Sequence, residues 1–380
     1  MNPTDRPDAW LARFAKLAVF GAFVVIFIGG LTTTTGAGMA FPDWPLSHGS
    51  LNPPGWWDDA MQRREHLHRY SAEAVAMIVG VLCAWVWGAN WAVPISVVVS
   101  LACAAGAKVA GQPGSVVALV GVLSASLTFA VIILLRTRRA DHARPAGVRW
   151  LAFLAFLGVL AQAVLGGLRV IKDPAGVLGG DADTATTFRI IHGCFAQLEL
   201  CLLVAIAAML SPVWPRIAAN PQMRLVRRIG WIATTVVFLQ LIVGATMRHL
   251  GAGLAIPTFP RAPGGGWMPQ VHNKFIDLNF THTRFGAALA AIFILALAMR
   301  AAGNAAGDVR LVRPAALLLA LAAAQVTMGI YIIWNVRPPI LTTLHVVNGA
   351  AVLAVIVLLT VRAGRAAACA GADPAEPRPL

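Results

Sequence analysis

The sequence predicts an all-α integral membrane protein: two tandem pseudo-symmetric four-helix bundles plus an extra helical hairpin, about ten transmembrane helices. Three observations carry this expectation. First, 58% of the 380 residues are hydrophobic, which at ~20 residues per crossing is enough for roughly ten spans. Second, charged residues are only 12%, against ~25% in soluble domains, and mean hydropathy is +0.73. Third, a loop sequence occurs twice, GAGMAFPDWP at 36–45 and GAGLAIPTFP at 251–260, offset by 215. This composition excludes an ordinary soluble domain, a disordered chain and a nucleic-acid module, despite a formal net charge of +14.

In chain order, apolar runs of spanning length occupy about 12–31, 66–90, 92–111, 114–136, 149–170, 188–211, 229–248, 279–300, 311–334 and 341–361. Such runs are too long for strands, and backbone in lipid must satisfy its own hydrogen bonds. The first follows Arg6, Arg13 and Lys16 like a signal peptide, but its length and the lack of a small-residue cleavage site read as a retained helix. With the N-terminus inside, short inner segments hold 18 of the 30 basic residues, in clusters such as Arg136–Arg149 and Arg216–Arg228. That bias puts both termini inside. Of the five cysteines, four lie in apolar runs and Cys369 falls in the tail, so no disulfide framework is expected.

The repeat offset of 215 also aligns Gly29 with Gly244, and Gln-x-x-x-Gly recurs at Gln162/Gly166, Gln240/Gly244 and Gln325/Gly329. Small residues at that spacing let helices approach closely. From His68 to His192 is 124 residues, but from His282 to His345 only 63. A longer outer loop around Asp173–Asp183 and one inserted hairpin, 92–136, account for the excess. A hairpin adds two spans and leaves later sidedness unchanged. The bundles are therefore expected at 1–215 and 216–365, followed by a cytoplasmic tail, 366–380.

Four of nine histidines, His68, His192, His282 and His345, fall within the first turn or two of a helix entering from the outer side. They share one depth and divide as one pair per repeat. A single such histidine reads as well as an interfacial or hydrogen-bonded core residue. Four at related positions point to function. Two facing neutral imidazoles in an apolar bundle suit axial haem ligation. Zinc suits less well, because neither repeat clusters three or four nitrogen and sulfur ligands. Haem propionates turned outward would explain cations at or near outer helix ends: Arg69, Arg169, Arg189, Arg248, Arg261, Lys274 and Arg284. The plainer reading of each is an interfacial anchor.

Glu65-His66-Leu67-His68-Arg69 resembles the Glu-x-x-His-Arg motif of the haem A synthase family. The loops at 36–51 and 248–260 are similar to that family too, as are LGGLRV (165–170), RIIHGCFAQ (189–197) and TTLHVVNGA (342–350). The resemblance covers about 12–90 and 149–361. It implies an oxidoreductase of the bacterial cytoplasmic (inner) membrane, with its haem sites toward the outer side. The C8 methyl of haem O would become the formyl group of haem A by two successive hydroxylations and loss of water. His282 and His345 would ligate a haem b cofactor. His68, His192 and Arg69 would bind the substrate haem, and Glu65 matches the catalytic glutamate. Implied partners are haem O synthase (protohaem farnesyltransferase), the assembly of haem-copper oxidases and an electron partner of unknown identity, in a lipid bilayer and without nucleic acid. Homo-oligomerisation stays open.

The residues support an asymmetry between repeats. Glu65 lies three before His68, on the same helix face, whereas Asn279 takes that position before His282. An acid there could accept a proton or stabilise a cation; a carboxylate favoured by the helix dipole is the alternative. Three departures stand out: ten spans rather than about eight, no cysteine in 32–64, and an arginine displaced by one in the second repeat, His282-Thr283-Arg284. Glu199 and Glu73 lie inside helices and are ambiguous. His48, His249 and His272 belong to outer loops, and His142 to an inner one. The rival readings are a di-haem b-type electron-transfer protein, which would stack haems at two depths, and a transporter, which would need a charged midplane path.

Overall fold

The computed structural model describes residues 8–139, 144–305 and 307–370. Ten helices in it are long and apolar enough to cross a membrane, and the chain is a multi-pass membrane protein. They are α1 Ala9–Thr34, α2 Ala60–Trp87, α3 Ala92–Val109, α4 Gly114–Arg136, α5 Ala146–Ile171, α6 Ala182–Leu210, α7 Met223–His249, the composite α8 Lys274–Phe280 and α9 Ala287–Asn304, α10 Val309–Trp334, and α11 Pro339–Cys369. A π-helical turn, Thr281–Gly286, joins α8 to α9.

Most starts have a local cause. Asp8 and Asp59 accept from free backbone N–H groups of α1 and α2, and Asn273 does so for α8. Pro339 opens α11 at a position where no N–H is needed. Two boundaries differ from expectation. The outer helix ends project beyond the apolar runs through polar first turns such as Met61-Gln62-Arg63-Arg64, so α2 starts at Ala60. His68, His192 and His282 therefore lie two to three turns in, not within the first turn or two, whereas His345, six residues after Pro339, stays within two turns as expected. Cys369, expected in the tail, is the last residue of α11. All five cysteines are free thiols.

Two compact units divide the chain, Met1–His192 and Gly193–Leu380. In the first, α2 packs between α1 and α5. The inserted hairpin packs mainly on itself, α3 against α4. Gly121 makes that possible: it faces Ser100, whose hydroxyl donates to the Gly121 carbonyl at 2.9 Å. Gly114, at the hairpin turn, lies against Leu46 and Gly49 of the loop between α1 and α2. Both loops thus occupy one end of the unit. The other end gathers Asp8 with Arg144, and the Trp87 indole N–H on the Arg149 carbonyl.

In the second unit α7, α9, α10 and α11 form a closed four-helix ring. Its core is Ala233, Leu297, Leu318, Leu353 and Ile356 with their neighbours. The closest α7–α11 approach is at Gly230, where a Cβ would stand 2.1 Å from the Thr360 hydroxyl oxygen. Gly230→Leu is expected to destabilise this unit by about 1–3 kcal/mol through overpacking, read as a lower thermal midpoint in detergent; an unchanged midpoint would show that the helices are not this close.

Candidate functional site

Each unit presents one shaped loop and two histidines at the same end. The loops begin alike: Gly36 (φ 72°) and Gly251 (φ 74°) take the left-handed conformation and open single 3-10 turns, 37–39 and 252–254. Trp44–Pro45 and Phe259–Pro260 are both cis. The repeat seen in the sequence is therefore a repeat of backbone shape.

A side-chain clasp holds each loop to its helix. In the first unit Glu65, only 1% exposed, uses both oxygens: Oε2 accepts from the Phe41 N–H at 3.1 Å and Oε1 pairs with Arg69 at 2.7 Å. Arg69 also donates to the carbonyls of Phe41, Asp43 and Leu46. In the second unit Asn279 donates to the Ala252 carbonyl at 2.9 Å, and Arg284 to the Thr258 carbonyl at 2.8 Å. Thr258 is the repeat equivalent of Asp43, so Arg284 reaches the same loop position as Arg69. The π-helical turn explains the displaced arginine. One extra residue enters between His282 and Arg284, moving the offset from 214 at the histidines to 215 at the arginines.

The histidines sit on glycines. A Cβ at Gly29 of α1 would lie 2.6 Å from His68, and one at Gly244 of α7 would lie 2.5 Å from His282. Gly166 of α5 and Gly329 of α10 hold His192 and His345 more loosely, at 3.1 and 3.3 Å. The Gln-x-x-x-Gly echo is thus an imidazole seat, not only a helix-packing motif. One turn away, Gln162 and Gln240 donate to the backbone carbonyls of His192 and His282 at 3.1 and 2.7 Å. The first helix has Val25 in place of this glutamine, so His68 lacks that support.

The glutamine behind the fourth histidine touches the ring itself. Asn348 donates to the Leu321 carbonyl and to Gln325 Oε1, which turns the Gln325 amide NH₂ toward His345 Nε2 at 3.1 Å. Nε2 is then the acceptor, its one lone pair is engaged by Gln325, and the ring proton sits on Nδ1.

The spacing of the first pair suits haem iron. The His68 and His192 rings lie 6.4 Å apart between centroids with planes at 87°. Two ~2.0 Å nitrogen–metal bonds and the half-widths of two imidazoles span roughly 6.3 Å. All four histidines have a buried Nδ1 without a hydrogen-bond partner. Among the described residues no three His, Cys, Asp or Glu side chains group to hold a metal ion, whereas haem needs only two axial ligands.

The arginines divide by environment. Arg169 donates to the Gly38 carbonyl at 2.9 Å, and Arg189 forms an ion pair with Asp173. Arg248 is half-buried in the last turn of α7. Sequence reading missed Arg337, which packs on Gly253 as Arg169 does on Gly38; its distance from Gly329 differs from that of Arg169 from Gly166, which hid the equivalence. It also missed Asp173, whose buried pairing has no counterpart in the second repeat's sequence.

Among the ambiguous groups, Glu199 is 6% exposed with neither carboxylate oxygen bonded, while Glu73 is exposed. His272 pairs with Asp277 at 2.7 Å on the surface, and the His48 N–H donates to Asp43. His249 ends α7. His142 lies outside the described residues.

The sequence profile of the cytochrome oxidase assembly protein family matches residues 12–357. Among curated relatives, a heme A synthase of Rhizorhabdus wittichii is 26% identical over 348 residues, 86% of each chain. One of Sphingopyxis alaskensis is 24% identical over 378 residues, 96% of this chain and 94% of that protein. One of Symbiobacterium thermophilum is 31% identical over 212 residues, 55% of this chain and 65% of that protein. With two histidine pairs on glycine seats beneath two matching loops, and a family match across both units, the chain belongs to the haem A synthase family of cytochrome oxidase assembly proteins.

Proposed function

We propose that this chain is a haem A synthase, an oxidoreductase that converts the C8 methyl of haem O to a formyl group in two successive hydroxylations. The observation that carries the reading is the His68–His192 pair, 6.4 Å apart between centroids and nearly perpendicular, a spacing suited to one six-coordinate haem iron. In this reading they hold the substrate haem, and His282 and His345 hold haem b, which supplies reversible one-electron iron chemistry. Glu65 is the catalytic carboxylate. Its two oxygens keep acceptor capacity beyond the bonds to Phe41 and Arg69, since a carboxylate offers about four lone-pair sites. It can therefore stabilise positive charge developing beside it. Arg69 positions that carboxylate and the loop. Arg169, Arg189, Arg248 and Arg284 are the propionate-side cations.

The membrane is the bacterial cytoplasmic membrane, with both termini cytoplasmic and the loop ends of both units outward. The partners are haem O synthase upstream, haem-copper oxidase assembly downstream, and an electron partner. Extraction of haems from the purified protein tests the reading: haem b plus haem O or haem A is expected. His282→Ala and His345→Ala should each lose haem b and its bis-imidazole spectrum. Haem b alone in the preparation, together with a Glu65→Ala variant that still makes haem A in cells, would sink the assignment.

A further inference from the structure

The first unit carries a link that the second lacks. Ten residues, 172–181, join α5 to α6, whereas four, 335–338, join α10 to α11. The long link is tied down closely. The Val177 N–H donates to the Pro42 carbonyl at 3.1 Å, and the Leu178 N–H to the Ile171 carbonyl at 3.3 Å. A Cβ at Gly180 would stand 1.9 Å from the Lys172 carbonyl oxygen, so only glycine fits there. Asp173 anchors both partners of the closure. Its Oδ1 accepts from the Ala175 N–H, turning the link, while Oδ2 pairs with Arg189. Asp173 is 6% exposed. Arg189 lies one helical turn before His192, on the same face. An arginine one turn from a proposed substrate ligand is therefore the one that holds the link shut.

The charges around it do not balance. Arg169 interacts electrostatically with Arg69, Arg189, Glu65 and Asp173, a cluster of three cations and two anions. One positive charge remains, whereas a haem brings two carboxylates. Releasing Asp173 as both propionates arrive leaves the cluster neutral. The second repeat has no such exchange: Thr342 precedes His345 by three, and 335–338 contain no acid. That contrast matches one haem that must enter and leave and one that stays.

We propose that Asp173 is a built-in stand-in for a substrate propionate: it occupies Arg189 in the empty first site and yields it to the incoming carboxylate, freeing the 172–181 link for haem exchange. The proposal rests on the reading of the first unit as the substrate site.

The test titrates haem O, and separately its dimethyl ester, into the detergent-solubilised full chain. Binding is read by Soret absorbance and the link by hydrogen exchange of 172–181. Haem O should speed exchange across the link; the ester, without free carboxylates, should bind and leave it protected. Asp173→Asn should exchange quickly before any haem is added and bind haem O roughly tenfold tighter, because an internal competitor is gone. Arg189→Ala should weaken binding and erase that gain in the double variant. Retention of the haem b spectrum shows that each variant is folded. Link exchange unmoved by haem O, equal opening by the ester, or no tighter binding by Asp173→Asn would each overturn the proposal. His192→Ala separates the two levels. If haem O binding survives that change, the substrate-site reading itself fails. If binding is abolished while haem O leaves the wild-type link unmoved, the exchange alone fails.

Discussion

Gly244→Ala is expected to cost the second unit most of its haem while leaving the protein folded. The added methyl would stand 2.5 Å from the His282 ring, too close for any Cβ contact, so the imidazole must leave its seat. Overpacking of this kind costs about 1–3 kcal/mol, or about 5- to 150-fold in haem affinity. Stability should move little, because alanine in a helix gains up to ~1 kcal/mol over glycine. Gly29→Ala should do the same to haem held by His68, whose ring would lie 2.6 Å from the new methyl. Gly166→Ala and Gly329→Ala should be milder, since their neighbours begin at 3.1 and 3.3 Å. Gly80→Ala is the control, with nothing within 4 Å. Haem content per chain from pyridine haemochromes, measured with thermal midpoints, reads the series. Equal haem content in Gly244→Ala and Gly80→Ala would remove the seat from the account.

That series also marks what the sequence could and could not reveal. The ten spans were legible because lipid imposes one length and one composition on every crossing. The repeat was legible because the loops need specific residues, a left-handed glycine at 36 and 251 above all. Their partners were less so. Gln-x-x-x-Gly reads in one dimension as close helix packing; only three dimensions show that the neighbour is an imidazole on the next helix. The displaced arginine was visible, but its meaning was not. A π-helical turn adds one residue without any distinctive composition, so Arg284 read as out of register when it is in register with the loop it clasps. Asp173 and Arg189 are 16 residues apart on different elements, and nothing local in either predicts that they meet. Glu65 was singled out for chemistry, and its second task, closing the loop through Phe41 and Arg69, is set by tertiary structure alone.

Those two tasks of Glu65 can be separated. Glu65→Ala removes the counter-charge of Arg69, which is only 12% exposed. Breaking a buried pair in this way costs about 3–5 kcal/mol, moderated here by the carbonyls that still accept from Arg69. Loss of activity in that variant would therefore not distinguish clasp from catalyst. Glu65→Gln is the sharper change. The second repeat already closes its loop with an amide, Asn279 donating to the Ala252 carbonyl, so an amide is compatible with this fold. One of its two ends would face a donor, Phe41 N–H or Arg69, at a cost of about 1–3 kcal/mol. The expected result is a folded protein with normal haem b, haem O still bound at His68 and His192, and haem A formation reduced by about 10²–10⁴-fold. Haem analysis of cells expressing each variant, with haem O binding to the purified proteins, measures both tasks. If Glu65→Gln makes haem A at the wild-type rate, the carboxylate serves only the loop, and the proton acceptor or cation stabiliser must be sought elsewhere in the first unit. If Gln fails in haem A formation but keeps substrate and fold, the charge itself is required. The difference between the repeats, an acid at 65 and an amide at 279, is then the difference between the haem that is transformed and the haem that is retained.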